Sequence, residues 1–203
     1  MTQPTRWVTD TKDGHSHWYI DRFRRMAADG EDLAGEARLV DAMLPRAARV
    51  LDAGCGTGRV AAELHARGHV VVGVDADPEL IDAARADHPG PAWVVGDLSE
   101  LELADLTPEQ GPAELFDAAV LAGNVMVFVA PGTEAEVLRR VGRCVVPDGF
   151  VVVGFHVNRH LALDDFDQAV GEAALRVEHR FATWDLKAWH DDADFAVTVL
   201  RHR

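Results

Sequence analysis

The chain has 203 residues, 48% hydrophobic and 27% charged, with 20 Lys and Arg against 34 Asp and Glu for a formal net charge of −14. That length suits one domain with a full core, and scattered bases in an acidic chain argue against nucleic acid, whose binding needs a basic surface. No apolar run is long enough to span a membrane, no signal-like segment is found, and two cysteines without a CxxC or a His/Cys cluster suggest neither a disulfide scaffold nor a metal site. A cytoplasmic protein with no membrane partner is expected.

Residues 1–13 are polar and expected to be loose. Residues 15–28 read as a helix with Trp18, Tyr19, Phe23 and Met26 near one face, broken by Gly30. The densest basic patch, Arg22 to Arg25, lies on it and is short. Residues 32–44 form a second amphipathic pattern, with Leu33, Ala37, Val40 and Leu44 in phase and Pro45 as the stop. An alternating series follows: strand 48–53, helix 59–67, strand 69–75, helix 78–87, strand 92–96, an irregular stretch 98–113, strand 116–122, helix 133–143 and strand 149–155. Val-rich strands alternating with helices imply a parallel sheet covered on both faces. A helix at 164–174 and two strand-like segments at 175–183 and 193–200 complete the chain, the last two as an antiparallel hairpin at one edge.

The most informative stretch is VLDAGCGTG, residues 50–58. A buried strand runs into glycines at alternate positions and then into RVAAELHAR, a good helix sequence. Glycine permits φ > 0 and close approach of a ligand to the backbone, and the next helix aims its free N–H groups at the same place. The second strand ends in Asp75, roughly 20 residues on, where nucleotide-binding α/β domains place a carboxylate on ribose hydroxyls. A dinucleotide fingerprint, G-x-G-x-x-G, would need glycine at 59; Arg59 stands there and the spacing is G-x-G-x-G. Asp52, in the same loop, is a poor neighbour for a pyrophosphate and a good one for an ammonium group.

With these pieces, and with VVGVDAD (71–77), WVVGDLSEL (93–101), FDAAVLAGNVMVF (116–128) and VVPDGFVVVGF (145–155) in order, the chain resembles the class I S-adenosylmethionine-dependent methyltransferases. The resemblance covers most of residues 48–156. It implies a three-layer, Rossmann-like α/β fold with a seven-stranded, mostly parallel sheet and an antiparallel last strand. Residues 1–45 would then be a helical lid on a core of residues 46–203, together one domain.

The resemblance also implies a site. Asp52, Ala53, Gly54, Cys55, Gly56 and Gly58 would hold the methionine part of the cofactor, Asp75 the ribose diol, with Ala76 beside it. Asp97 would bind the adenine amino group and the Leu98 backbone N–H would meet the ring. Ala122, Gly123 and Asn124 would lie near the sulfonium, with Met126 as a wall. Asp77 reads as a helix N-cap before Pro78, and Asp97 also reads as a plain turn aspartate. On the first helix, Tyr19 would cover the cofactor and Arg22 pair with its carboxylate; alternatively the aromatics there only bury the helix.

Methyl transfer is an in-line displacement that needs alignment and exclusion of water more than acid–base chemistry. If a base is needed, His156, after the fifth strand, is the first candidate, then His160, His15 and His17. Cys55 reads as a small turn residue and Cys144 as core. TWDLKAW (183–189) shapes an acceptor site or caps the sheet edge. No NPPY-like tetrapeptide and no Pro-Cys dipeptide point to base methylation, so a small-molecule acceptor is expected. A silent S-adenosylmethionine-binding protein remains open, and an NAD-dependent oxidoreductase is disfavoured by the glycine spacing.

Overall fold

Residues 3–106, 114–157 and 159–203 are described by the structure, a computed structural model. Its strands are β1 (Arg49–Ala53), β2 (Val70–Asp75), β3 (Ala92–Val95), β4 (Phe116–Leu121), β5 (Val145–His156), β6 (Leu175–Phe181) and β7 (Phe195–His202). Its helices are α1 (Arg6–Thr9), α2 (His15–Ala28), α3 (Gly35–Met43), α4 (Arg59–Ala66), α5 (Pro78–Asp87), α6 (Val125–Phe128), α7 (Glu134–Arg143) and α8 (Leu163–Glu172).

The strands form a seven-stranded sheet in the order β3-β2-β1-β4-β5-β7-β6. β1 to β5 pair in parallel, whereas β7 is antiparallel to both β5 and β6. This is the Rossmann-like architecture that the sequence implies. The order reverses between β1 and β4, and ligands of open α/β sheets bind beyond the strand ends at such a point.

Strand alternation sorts the core into two layers. Leu51, Val72, Ala119, Val153 and Phe155 face one side, where α7 and α8 bring Val137, Val141 and Phe166. Val50, Val71, Val120 and Val152 face the other, where α3 and α4 bring Ala37, Val40, Val60 and Leu64. A sheet buried on both faces needs such near-continuous hydrophobic strands. Cys144 is 1% exposed and belongs to the first layer.

Several boundaries differ from the sequence expectation, each for a local reason. The expected helix 32–44 begins only at Gly35, because Asp32 Oδ1 accepts the Ala34 N–H at 3.1 Å and the carboxylate pairs with Arg38. β5 begins at Val145 rather than 149, with an irregular register opposite Phe116 and Ala118. Residues 6–9, expected to be loose, form α1, and α6 occupies what reads as a loop. Of the irregular stretch 98–113, residues 103–106 form a 3₁₀ turn and 107–113 lie outside the described residues. α2 does not bury its aromatics against the sheet. Ile20 packs on Leu80 and Ala83 of α5, while Trp18 is 49% exposed. Trp184 covers Gly154, where a Cβ would collide with its ring, so the TWDLKAW stretch caps the sheet.

Candidate cofactor and active site

Between β1 and α4 the chain turns through Gly54, Gly56 and Gly58, at φ of 80°, 55° and 82°. Any L-residue is strained there. The three glycines serve different ends. A Cβ at Gly54 would fall 2.5 Å from Val125, and one at Gly58 would strike Trp93, so these two let the loop pack on its own neighbours. A Cβ at Gly56 would meet only the Tyr19 ring, at 3.5 Å, across a cavity that both residues line.

Asp75, at the end of β2, ties this loop in place. Its Oδ2 accepts the Gly56 N–H at 2.9 Å and its Oδ1 the Asp77 N–H at 3.0 Å. Each carboxylate oxygen retains acceptor capacity beyond these bonds. Burial raises the Asp75 pKa to about 6, against the pull of the backbone N–H groups of Asp77, Gly56 and Ala76. Asp77 caps α5 through the Glu79 N–H, as the Asp-Pro pair predicts.

The pKa of Asp75 carries a pH prediction. If Asp75 is to accept two hydroxyl donors beside its backbone N–H groups, it does so best as the anion, because protonation turns one of its oxygens into a donor. The free protein holds that proton below about 6, so S-adenosylhomocysteine affinity should fall as pH drops through that value and level off above it. Calorimetry from about pH 5 to about pH 8 measures this, and Asp75→Asn should flatten the profile. A wild-type profile already flat would show that no buried carboxylate titrates on binding.

Other lining positions come from the ends of β3 and β4 and from the N-terminus. Asp97 and Leu98 border the cavity on one side, Ala76 and Leu80 beside them. Asp97 also makes the turn bond expected of it: Oδ1 accepts from the Ser99 N–H and hydroxyl, both at 2.8 Å. Ala122 and Gly123 border the other side, and a Cβ at Gly123 would meet nothing within 4 Å.

The N-terminal segment crosses this cavity as a strap. Trp7 Nε1 donates to Asp77 Oδ2 at 2.8 Å on the β2 side, where the Ser16 hydroxyl also bonds. Arg6 donates to the Val129 carbonyl at 3.2 Å and pairs with Glu134 on the β4 side. Trp7 packs edge-on against Tyr19 and Phe128, and burial pushes the Tyr19 hydroxyl up to about 12.

The structure thus brings Tyr19, Gly54, Gly56, Asp75, Ala76, Asp97, Leu98, Ala122 and Gly123 to one cavity. The remaining expected residues lie elsewhere. Asp52 is 1% exposed beneath the loop, accepts the Ala61 N–H at 3.0 Å and has its pKa raised to about 7 by burial. Ala53 is wholly buried core. Cys55 is 8% exposed, its thiol pushed far above the ordinary range by burial and by Asp52 and Asp75, which suits a turn residue. Gly58 packs on Trp93 as described. Arg22 is exposed, its guanidinium over the Trp18 and Phe23 rings rather than at the cavity. Asn124 and His156 bond to each other beside Gly123 and do not line the cavity. His15 stacks on Trp18, His17 pairs with Glu79, and His160 lies 4.0 Å from Asp10.

Lining residues that sequence reasoning missed are Thr5, Trp7, Leu80, Val125, Phe128 and Val129. Trp7 was the available signal, a large apolar ring in an otherwise polar run. Arg59, which breaks the dinucleotide spacing, plays a structural part. It donates to the Leu33 carbonyl and pairs with Glu36, tying α4 to α3.

A switch-point cavity with a glycine cradle and an acid-ended second strand has the form of a nucleoside site in an open α/β sheet. Comparison with known proteins makes this specific. Residues 50–149 match the methyltransferase domain family. A TehB-like SAM-dependent methyltransferase from Corynebacterium glutamicum superposes with a TM-score of 0.85 at 41% identity, over 95% of this chain and 100% of that one. A bifunctional biotin biosynthesis protein from Cellvibrio japonicus is 32% identical over 76% of this chain and 34% of its own length. Magnesium-protoporphyrin O-methyltransferase from Rhodobacter capsulatus is 31% identical over 61% of this chain and 53% of its own. The matches to these two curated relatives therefore span only a third to a half of each. The chain belongs to the class I S-adenosylmethionine-dependent methyltransferases, and its cofactor is S-adenosylmethionine. The cradle at Gly56 and the acceptor capacity of Asp75 fit that cofactor's nucleoside.

Proposed function

We propose that the protein transfers the methyl group to a small-molecule acceptor, which enters beside Gly123. The observation that carries this reading is the strap: Trp7 and Arg6 anchor the N-terminal segment to both sides of the cavity, which leaves little room for a macromolecular surface to approach. The acidic chain, −14 in net charge, supports the exclusion of nucleic acid.

When bound, the cofactor supplies a methyl group on a cationic sulfur, a good leaving group. Asp75 accepts the ribose hydroxyls, and Ala76 and Leu98 flank the adenine. Trp7 and Tyr19 exclude water from above, which favours displacement over hydrolysis. Open space at Gly123 admits the acceptor. His156 lies outside the cofactor cavity, one hydrogen bond from Asn124, and takes the proton of an acceptor that reaches past Gly123 to it, where a proton must leave. Residues 1–45 act as the lid and 46–203 as the catalytic core of one domain.

Incubation with S-adenosylmethionine labelled in its methyl group, against pools of small alcohols, amines and thiols, should label at least one small acceptor. Label appearing only in added RNA or protein would overturn the reading. Binding without transfer to any acceptor would favour a silent cofactor-binding protein instead.

The lid has its own test. Among the described residues, neither of the two large core layers contains a residue before Ala37; Trp7, Tyr19 and Ile20 join only the small cluster on α5. Deleting residues 1–28 should therefore leave a cooperatively folding sheet, reduce S-adenosylhomocysteine affinity by roughly tenfold or more, and reduce turnover further as water enters. Unchanged affinity in a folded truncation would remove the lid.

A further inference from the structure

We infer that Asn124 is a positioning residue that selects the Nδ1–H tautomer of His156 and so presents Nε2 as the proton acceptor of the transfer site. The inference rests on the reading of His156 as the base and adds to it the element that makes this histidine a base. Asn124 follows Gly123 in the left-handed conformation, at φ 71°, which asparagine tolerates better than most L-residues. Its own N–H donates to the Gly154 carbonyl at 3.3 Å, which pins the end of β4 to β5.

The side chain then makes two contacts with one residue. Asn124 Oδ1 accepts the His156 backbone N–H at 2.8 Å and lies 3.1 Å from His156 Nδ1. The first contact settles the amide orientation, because a backbone N–H only donates and the atom facing it must be the oxygen. An oxygen facing Nδ1 requires a proton on Nδ1. In a neutral imidazole the other nitrogen, Nε2, then carries the lone pair.

The ring's surroundings reinforce this choice. Phe195 meets it edge-on, with centroids 4.9 Å apart, and offers no competing acceptor. The His156 ring is only partly buried, and Nε2 has no hydrogen-bond partner among the described residues. A histidine free in water favours the opposite tautomer, with the proton on Nε2. Asn124, the residue after Gly123, thus converts a ring that would donate into one that accepts.

The test uses the full chain labelled with ¹⁵N-histidine and long-range ¹H–¹⁵N spectra near neutral pH. In the wild type, His156 should show a protonated Nδ1 and an unprotonated Nε2, and its signals should shift when S-adenosylhomocysteine is added. Asn124→Gly keeps the left-handed backbone without strain and removes the acceptor, so the ring should change to the Nε2–H form as its major tautomer. Asn124→Asp restores an acceptor oxygen and should restore Nδ1–H. A wild-type Nε2–H tautomer, or an Asn124→Gly spectrum identical to wild type, would overturn the inference. A ring indifferent to S-adenosylhomocysteine would overturn its placement beside the transfer site. Failure of the base reading alone looks different: the tautomer would hold, while His156→Gln kept its rate on the acceptor found in the labelling screen.

Discussion

Gly56→Val is expected to abolish S-adenosylhomocysteine binding while the protein still folds. At φ 55° a β-branched residue is a genuine backbone outlier, costing on the order of 1–3 kcal/mol. The side chain would also grow toward the Tyr19 ring, 3.5 Å from the first added carbon, and fill the cradle. Strain and occupation act on the same loop, whose N–H is held by Asp75 at 2.9 Å. The fold should survive because nothing of the core stands in the way. Gly58→Val is the contrast: its side chain would strike Trp93 and Ala84, so thermal stability should fall along with binding. Calorimetry and thermal melts on both variants separate the two effects. Near-wild-type affinity in Gly56→Val would mean that the cofactor lies elsewhere.

Asp75→Ala is expected to cost about 2–3 kcal/mol of cofactor binding, or about 30- to 150-fold in Kd, from the loss of charge-assisted bonds to the ribose. Part of that cost arises in the protein itself. The carboxylate organises the Gly56 and Asp77 N–H groups, so its removal frees both the glycine turn and the start of α5. Asp75→Asn retains an acceptor for one of these donors and should lose less. Wild-type affinity in the alanine variant would exclude Asp75 from the site.

The sheet and most of its cavity were legible in the sequence because they depend on short-range rules. Val-rich strands, the Gly54–Gly58 turn and the acid at 75 are local patterns with one structural outcome, and they bring eight expected residues to one place, where Tyr19 joins them from α2. What sequence reasoning missed depends on tertiary contact. Trp7 is held by Asp77, 70 residues away, and Arg6 by Val129, 123 residues away, so no local pattern announces the strap. Asp52 is absent from the cavity lining for a related reason. It occupies the right loop, but its carboxylate turns inward to the Ala61 N–H, and strand position alone does not say which way an acid at a strand end will point. Arg22 shares a face with Trp18 on α2, and cation–π stacking there takes it away from the cavity.

A diffraction structure of the protein with S-adenosylhomocysteine tests the site assignment most directly. The expected result has both ribose hydroxyls on Asp75, the adenine between Ala76 and Leu98 near Asp97, and the sulfur beside Ala122 and Gly123 under Trp7 and Tyr19. A nucleoside bound outside this cavity, or inside it with Asp75 still directed only at Gly56 and Asp77, would contradict it.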